Sequence, residues 1–133
     1  MARRRKRSPV PFMEWLTAFS LAQKMVARAY DEVAAEKPPA LFGFGAILRL
    51  AVNHVMLPVL RKKLAENPGI ETPEEIAKFV MEALDAVTEE RVRAFLKTLG
   101  IKDVDKYTAA IMEYLRLIKE KLPEIAKTVT VAA

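Results

Sequence analysis

The sequence predicts an all-α protein of about five helices, preceded by an extended basic arm. Apolar residues recur at steps of three and four over long stretches, and helix-start motifs precede several of them. The tail 129–133 favours a strand but has no partner strand in the chain. With 133 residues, of which 52% are hydrophobic and 29% charged, the chain has the size of one domain and is neither intrinsically disordered nor a multispan membrane protein.

The arm and the first helix are separated by a proline joint. The prolines of segment 8–11 remove backbone donors and favour an extended conformation. Helix 1 is predicted from about Phe12 to about Glu36, where apolar residues share one helical face. The prolines of segment 37–39 end it.

The second helix is predicted in the most apolar stretch, 40–60, and continues to about Glu66. Pro58 lies inside this helix and is expected to kink or split it, because proline lacks a backbone donor and clashes with the preceding turn. Gly43 and Gly45 allow a ligand to approach the backbone closely, although a loop or a helix start is the favoured interpretation.

Three shorter motifs predict the remaining helices. Thr72 is an N-cap for helix 3 over 73–86, and Glu75 completes its capping box. Thr88 caps helix 4, which runs to about Leu99 and is stopped by Gly100. Helix 5 begins after Asp103 and is predicted to end near Leu122, because Pro123 interrupts it.

The whole chain has a net charge of +5. The positive charge is concentrated in its N-terminal half. Residues 1–67 hold 12 cations and 5 carboxylates, whereas residues 68–133 hold 10 and 12. Such asymmetry indicates that one half meets a polyanion. The densest run of cations consists of Arg3, Arg4, Arg5, Lys6 and Arg7. Binding to nucleic-acid phosphates is the favoured interpretation of this run, and a localisation signal or a solubilising tail is the alternative.

Further candidate nucleic-acid-binding residues lie on the first two helices. Lys24 and Arg28 are four residues apart, so they follow a phosphate strand together or pair with Asp31 or Glu32. Arg49 and Asn53 form the only polar strip of an apolar helix, and Arg49 needs a carboxylate, a phosphate or water. The remaining candidates follow Pro58 and are Arg61, Lys62 and Lys63.

The sequence contains no catalytic, metal or cofactor motif, and we expect no enzyme. The absence of cysteine excludes disulfides, thiolate zinc sites and cysteine nucleophiles. His54, the single histidine, has no second ligand and is expected to be a core or interface residue. Helix-start roles account for most members of the acidic set Glu74, Glu75, Glu82, Asp85, Glu89 and Glu90.

The stretch 40–60 is long enough to span a bilayer. Arg49, Asn53, His54 and Pro58 interrupt it, and charged or strongly polar groups are costly at mid-membrane. A buried helix at an interface is therefore favoured, and shallow contact with a lipid envelope stays open. The wide apolar faces of the first two helices favour burial by a partner subunit.

The arm of Arg3 to Arg7, the joint with Pro9 and Pro11, and the helix 1 cations Lys24 and Arg28 resemble the major coat proteins of filamentous archaeal viruses. This resemblance implies a subunit that interlocks with a copy or a related chain, stacks in a helical virion, and is assembled in the host cytoplasm. It implies that the N-terminal segments wrap double-stranded A-form DNA without sequence specificity. Low Asn and Gln usage fits a hyperthermophilic habitat.

The chain is accordingly divided into three parts. Residues 1–11 are the arm and joint, residues 12–66 the long helices with the basic surface, and residues 67–133 the C-terminal helices and apolar tail. Two alternatives to a coat protein are kept. One is a small chromatin-type or regulatory DNA-binding protein, and the other is a peripheral membrane or adaptor protein whose basic arm meets anionic lipid.

Overall fold

Five helices make up the described part of the chain, which in this computed structural model covers residues 12–38, 40–67 and 72–128, with side chains described from residue 16 onward. They are α1 (Phe12–Glu36), α2 (Phe44–Glu66), α3 (Pro73–Asp85), α4 (Glu89–Thr98) and α5 (Val104–Thr128). The predicted all-α fold of about five helices is confirmed. The basic arm, the proline joint and the tail 129–133 lie outside the described residues.

The two threonine caps set the start of α3 and α4 as predicted. The Thr72 hydroxyl accepts a hydrogen bond from the Glu75 backbone N–H at 3.2 Å, and the Glu75 carboxylate accepts one from the Thr72 N–H at 3.2 Å. Thr88 accepts from the Arg91 N–H at 3.3 Å. At the other end of α4, Gly100 has φ of 75°, the left-handed conformation that closes a helix.

Replacing Thr72 with alanine is expected to lower the free energy of unfolding by about 1 kcal/mol, because the capping box loses its acceptor. Urea unfolding followed by circular dichroism measures the change. Thr72→Ser keeps the hydroxyl and is expected to stay close to the wild type. A serine variant as unstable as the alanine variant would contradict a role of the hydroxyl as cap.

Both internal prolines lie within unbroken helices. Pro58 does not split α2, and the prediction that Pro123 interrupts α5 is wrong, because α5 continues to Thr128. An internal proline costs about 3 kcal/mol. Leu122 and Ile125 are buried on either side of Pro123, and burial of such side chains contributes about 1.5–3 kcal/mol each. Packing of the last turns therefore outweighs the local break.

A single apolar core joins all five helices. The long helix α5 packs against α1, α3 and α4, and α2 packs against α1, α3 and α4. The predicted excess of apolar surface is mostly hidden by the chain itself. Among the described residues, the large hydrophobic side chains that remain exposed are Leu16, Phe42, Leu50 and Leu99.

The buried row of α2 winds round the helix instead of following one face. Its members are spaced by four residues, slightly more than the 3.6 residues of a turn, so each is rotated by about 40° from the last. The row consists of Leu48, Val52, Met56, Leu60 and Leu64. Different sides of α2 are therefore buried at its two ends.

By length and composition alone, α2 is also the one described helix that is able to cross a membrane. Of its most apolar window, 39% is buried against the other helices. Core helices of soluble proteins pass the same test, and packing against α1, α3 and α4 gives the apolar character of α2 a reason within the fold.

Candidate nucleic-acid interface

Arg49 connects the two long helices of the N-terminal half. Its Nη2 lies 3.5 Å from Asp31 Oδ1, and its guanidinium carbon lies 5.2 Å from the centre of the Tyr30 ring. The arginine side chain is 54% exposed, so it is not a buried charge. Its predicted need for a partner is met by a carboxylate on α1, which leaves the outer side of the guanidinium open to solvent.

The contact between Arg49 and Asp31 links the two pairs of candidate residues. On α1, Arg28 lies one turn before Asp31, and Lys24 lies one turn before Arg28. On α2, Asn53 lies one turn after Arg49. Helical spacing therefore places Lys24 and Arg28 on one side of α1, and Arg49 and Asn53 on one side of α2. The ion pair between Arg49 and Asp31 joins the two helices at this surface.

Carboxylates lie among these cations. Arg28 Nε is 3.5 Å from Glu32 Oε2, which is the alternative partner considered for it, and Asp31 faces Arg49. Residues 12–67 hold seven cations and five carboxylates, a net charge of +2. The five cations of the arm therefore account for most of the net positive charge of residues 1–67.

Tyr30 lies under Arg49 with its hydroxyl buried and without a hydrogen-bond partner among the described residues. Burial raises the pKa of this phenol well above its ordinary value, and the nearby Arg49 charge opposes the shift. The phenol therefore stays neutral, and its ring presents an uncharged face to the guanidinium. A cation–π contact at such an exposed site contributes about 0.5–1 kcal/mol.

The three consecutive cations after Pro58 do not form one patch. Successive residues of a helix point about 100° apart, so Arg61, Lys62 and Lys63 face three directions. Lys63 Nζ lies 2.8 Å from Glu82 Oε1 on α3, and the pair joins two helices. Arg61 and Lys62 are exposed. A phosphate at Lys63 has to compete with the Glu82 carboxylate.

Arg91, a cation that is not among the predicted binding residues, lies in a groove between α2 and α4. The groove has a volume of about 540 Å³ and is lined by His54, Pro58, Arg91 and Phe95 among others. Lys62 follows Pro58 by one turn and continues this side of α2. Arg91 was not a predicted candidate, because residues 68–100 hold four cations and seven carboxylates and so have a net negative charge.

His54 is exposed, so the core alternative of its predicted core or interface role is wrong. Its ring stacks on Phe95 with centroids 4.5 Å apart and an angle of 24° between the planes. The aromatic contact closes the apolar floor of the groove between α2 and α4. Among the described residues, no group of three or more histidine and acidic side chains is arranged to hold a metal ion.

Four residues of the acidic set named in the sequence analysis have structural partners. Besides Glu75 in its capping box and Glu82 on Lys63, Asp85 binds Lys119 at 2.6 Å and Glu89 binds Arg93 at 3.0 Å. These contacts support structural roles for the four residues. Gly43 precedes α2 with φ of 65°, which supports the turn interpretation of this glycine.

No family model, curated protein or solved structure matches this chain.

Proposed function

We propose that this chain is a structural nucleoprotein, the coat subunit of a filamentous archaeal virus that wraps double-stranded DNA in a helical virion. It acts without catalysis and without a cofactor, and it is assembled in the host cytoplasm, where a lipid envelope is a possible further contact. The observation that carries the proposal is the run of five consecutive cations, Arg3 to Arg7, in front of an all-α bundle.

The arm supplies the electrostatic part of binding. Each phosphate that is neutralised releases condensed counterions, and guanidinium groups bind phosphate oxygens with two parallel hydrogen bonds. Because residues 12–133 hold 17 cations and 17 carboxylates, the part of the chain after the arm has no net charge and attracts a duplex weakly by itself. In this proposal the arm follows the DNA backbone, and the face with Lys24, Arg28, Arg49 and Asn53 adds a second row of contacts.

Binding of this kind positions the duplex without reading its sequence. Phosphate contacts carry no base information, and the deep, narrow major groove of an A-form duplex is closed to side chains. Affinity comes from repetition, since many identical subunits each contribute a modest number of phosphate contacts. Contacts between subunits then set the pitch of the filament.

Electron microscopy of the purified chain mixed with linear double-stranded DNA tests the proposal. Filaments with regularly spaced subunits are expected, and unrelated DNA sequences should give the same filaments. A discrete complex of fixed size would favour a chromatin-type or regulatory protein instead. Binding to anionic vesicles that DNA does not compete with would favour the peripheral membrane or adaptor alternative.

Arg49→Leu separates a phosphate contact from a solvated ion pair. If Arg49 binds phosphate, the slope of log affinity against log salt is expected to fall by about one unit. Fluorescence anisotropy of labelled duplex DNA at several salt concentrations measures this slope. The matched control is Arg93→Leu, which removes an arginine of α4 that binds Glu89 and Asp105. Equal slopes in the two variants would remove Arg49 from the interface.

A further inference from the structure

The turn before α2 presents an aromatic side chain to solvent. Phe42 is 93% exposed, the highest value among the large hydrophobic residues described. Its backbone is held in place: the Tyr107 hydroxyl donates to the Phe42 carbonyl at 2.7 Å, and the Phe44 N–H donates to the Leu41 carbonyl at 3.1 Å. Gly43 completes the turn with φ of 65°, a conformation that other residues rarely adopt. Phe42 is thus an apolar anchor on a fixed backbone.

An apolar cavity of about 520 Å³ lies beside this turn, between the α1–α2 connection and α5. Leu41, which precedes Phe42, and Phe44, two residues after it, line the cavity together with Ala109, Ala110 and Tyr114. Phe44 and Tyr114 meet edge to face, with ring centres 4.9 Å apart. An aromatic ring is smaller than this cavity, and its walls offer the apolar and aromatic contacts that a phenylalanine favours.

The rim of the cavity carries one charge of each sign. Lys37 Nζ lies 3.2 Å from Glu113 Oε2, and both residues line the cavity. Lys37 and, after it, Arg116 lower the pKa of the Glu113 carboxyl, so Glu113 is ionised at neutral pH. A rim of mixed sign does not select a polyanion. It suits a partner surface that also carries both signs.

We propose that the cavity receives Phe42 of a second copy of this chain, and that the two copies exchange this side chain about a two-fold axis. A two-fold interface uses the same patch on both subunits, so anchor and cavity have to lie side by side on one chain. They do, because Leu41 and Phe44 flank Phe42 in the turn and also line the cavity. A single two-fold axis therefore places Phe42 of each copy in the cavity of the other.

The charges on the outer face of α5 fit this pairing. If the two α5 helices cross antiparallel between Ala109 and Ala110, Lys106 of each copy lies opposite Glu113 of the other. The same register places Asp103 opposite Arg116. Lys106 and Asp103 are exposed and form no ion pair with another described residue. In this arrangement Lys106 and Asp103 each lie opposite a residue of the other copy with the opposite charge. These ion pairs lie at the centre of a surface whose apolar part consists of Phe42 and the cavity beside it.

This contact between copies rests on the proposed function, because a coat subunit has to meet its neighbours in the filament. Its test is nevertheless made without DNA. Sedimentation velocity of the full chain alone is expected to show a concentration-dependent dimer. A wild-type chain that stays monomeric at its highest soluble concentration would overturn the interface, whatever its DNA binding. Conversely, a dimer at this face that ignores DNA would overturn the proposed function and leave the interface standing.

Complementary charge reversals identify the face. Lys106→Glu places carboxylates opposite each other at both pairs, and Glu113→Lys does the same with cations, so each variant alone is expected to be monomeric. Mixed in equal amounts, they restore both opposite-charge pairs and are expected to form a heterodimer. The matched control is Lys78→Glu, an exposed lysine on α3, which should dimerise as the wild type does. A mixture that stays monomeric, or single variants that dimerise normally, would overturn the proposed register.

The aromatic anchor is tested separately by Phe42→Ser. Truncating a central anchor of an interface is expected to weaken dimerisation by about thirtyfold or more. Leu99→Ser, which removes a hydrophobic side chain that is 43% exposed at the end of α4, is the control and should leave the dimer unchanged. Circular dichroism checks that both variants are folded. Equal dimer affinity of Phe42→Ser and the wild type would overturn the exchange of Phe42.

Discussion

Replacing Arg3, Arg4, Arg5, Lys6 and Arg7 with alanine is expected to flatten the salt dependence of DNA binding by roughly 4 to 5 units of log–log slope, if about five phosphates are neutralised. The reason is the release of counterions, which contributes about 0.9 of a unit for each phosphate contact on a duplex. Fluorescence anisotropy titrations at a series of salt concentrations measure the slope for the variant and the wild type. For each of Lys24, Arg28 and Arg49 that also binds phosphate, about 0.9 of a unit of slope is expected to remain in the variant.

Two further variants make this result specific to the arm. Lys78→Ala, Lys97→Ala and Lys102→Ala together remove three exposed cations from the C-terminal half and are expected to leave the slope almost unchanged. Replacing the arm arginines with lysine keeps the charge and so preserves the slope, while the loss of bidentate hydrogen bonds weakens binding. An unchanged slope in the alanine variant would exclude the arm from DNA contact and would leave the proposed function without its main support.

The helix boundaries show which part of the fold is encoded locally. Thr72 and Thr88 are caps in the sequence and caps in the structure, because the bonded groups lie within three residues of each other. Pro123 was expected to end α5, and this was wrong for a reason that is not local. The turns on both sides of it are stabilised by burial of Leu122 and Ile125 against helices that are distant in sequence. Helix propensity alone does not include this stabilisation by burial against distant helices.

The candidate binding residues were chosen by residue type and spacing, which do not specify the partners that each side chain meets. Spacing placed Lys24 with Arg28 and Arg49 with Asn53, and Arg49 pairs with Asp31 across the two helices. Arg61, Lys62 and Lys63 are consecutive in sequence, yet helix geometry spreads them over three directions, and Glu82 binds Lys63. The Asp31 partner of Arg49 depends on the register between two helices, which a single sequence does not specify.

Exposure of apolar residues was the least predictable feature. Phe42 lies in the most apolar stretch of the chain, where a core position is the natural expectation, and it is nevertheless 93% exposed. The turn that positions it depends on Gly43 and on the hydroxyl of Tyr107, which is 65 residues away in sequence. The position of Phe42 therefore follows from long-range packing and not from hydropathy.

Replacing Leu60 with alanine is expected to lower the free energy of unfolding by about 2–5 kcal/mol, because it removes a buried side chain and leaves a cavity. Leu60 lies in the second half of α2, after Pro58, and has no exposed surface. Small domains are stable by only about 5–15 kcal/mol, so this loss is a large part of the total. Urea unfolding of both proteins, at equal concentration and without lipid, measures the difference.

Leu50→Ala is the matched control on the same helix, since Leu50 is 55% exposed and its truncation creates no cavity. It is expected to change the free energy of unfolding by less than about 0.5 kcal/mol. The contrast decides what covers α2, the described helix whose composition also suits a membrane. If both substitutions lower the free energy of unfolding equally little, α2 does not derive its stability from the bundle, and a lipid or partner surface has to cover it. A large cost at Leu60 alone means that α1, α3 and α4 are the surroundings for which this apolar helix is built.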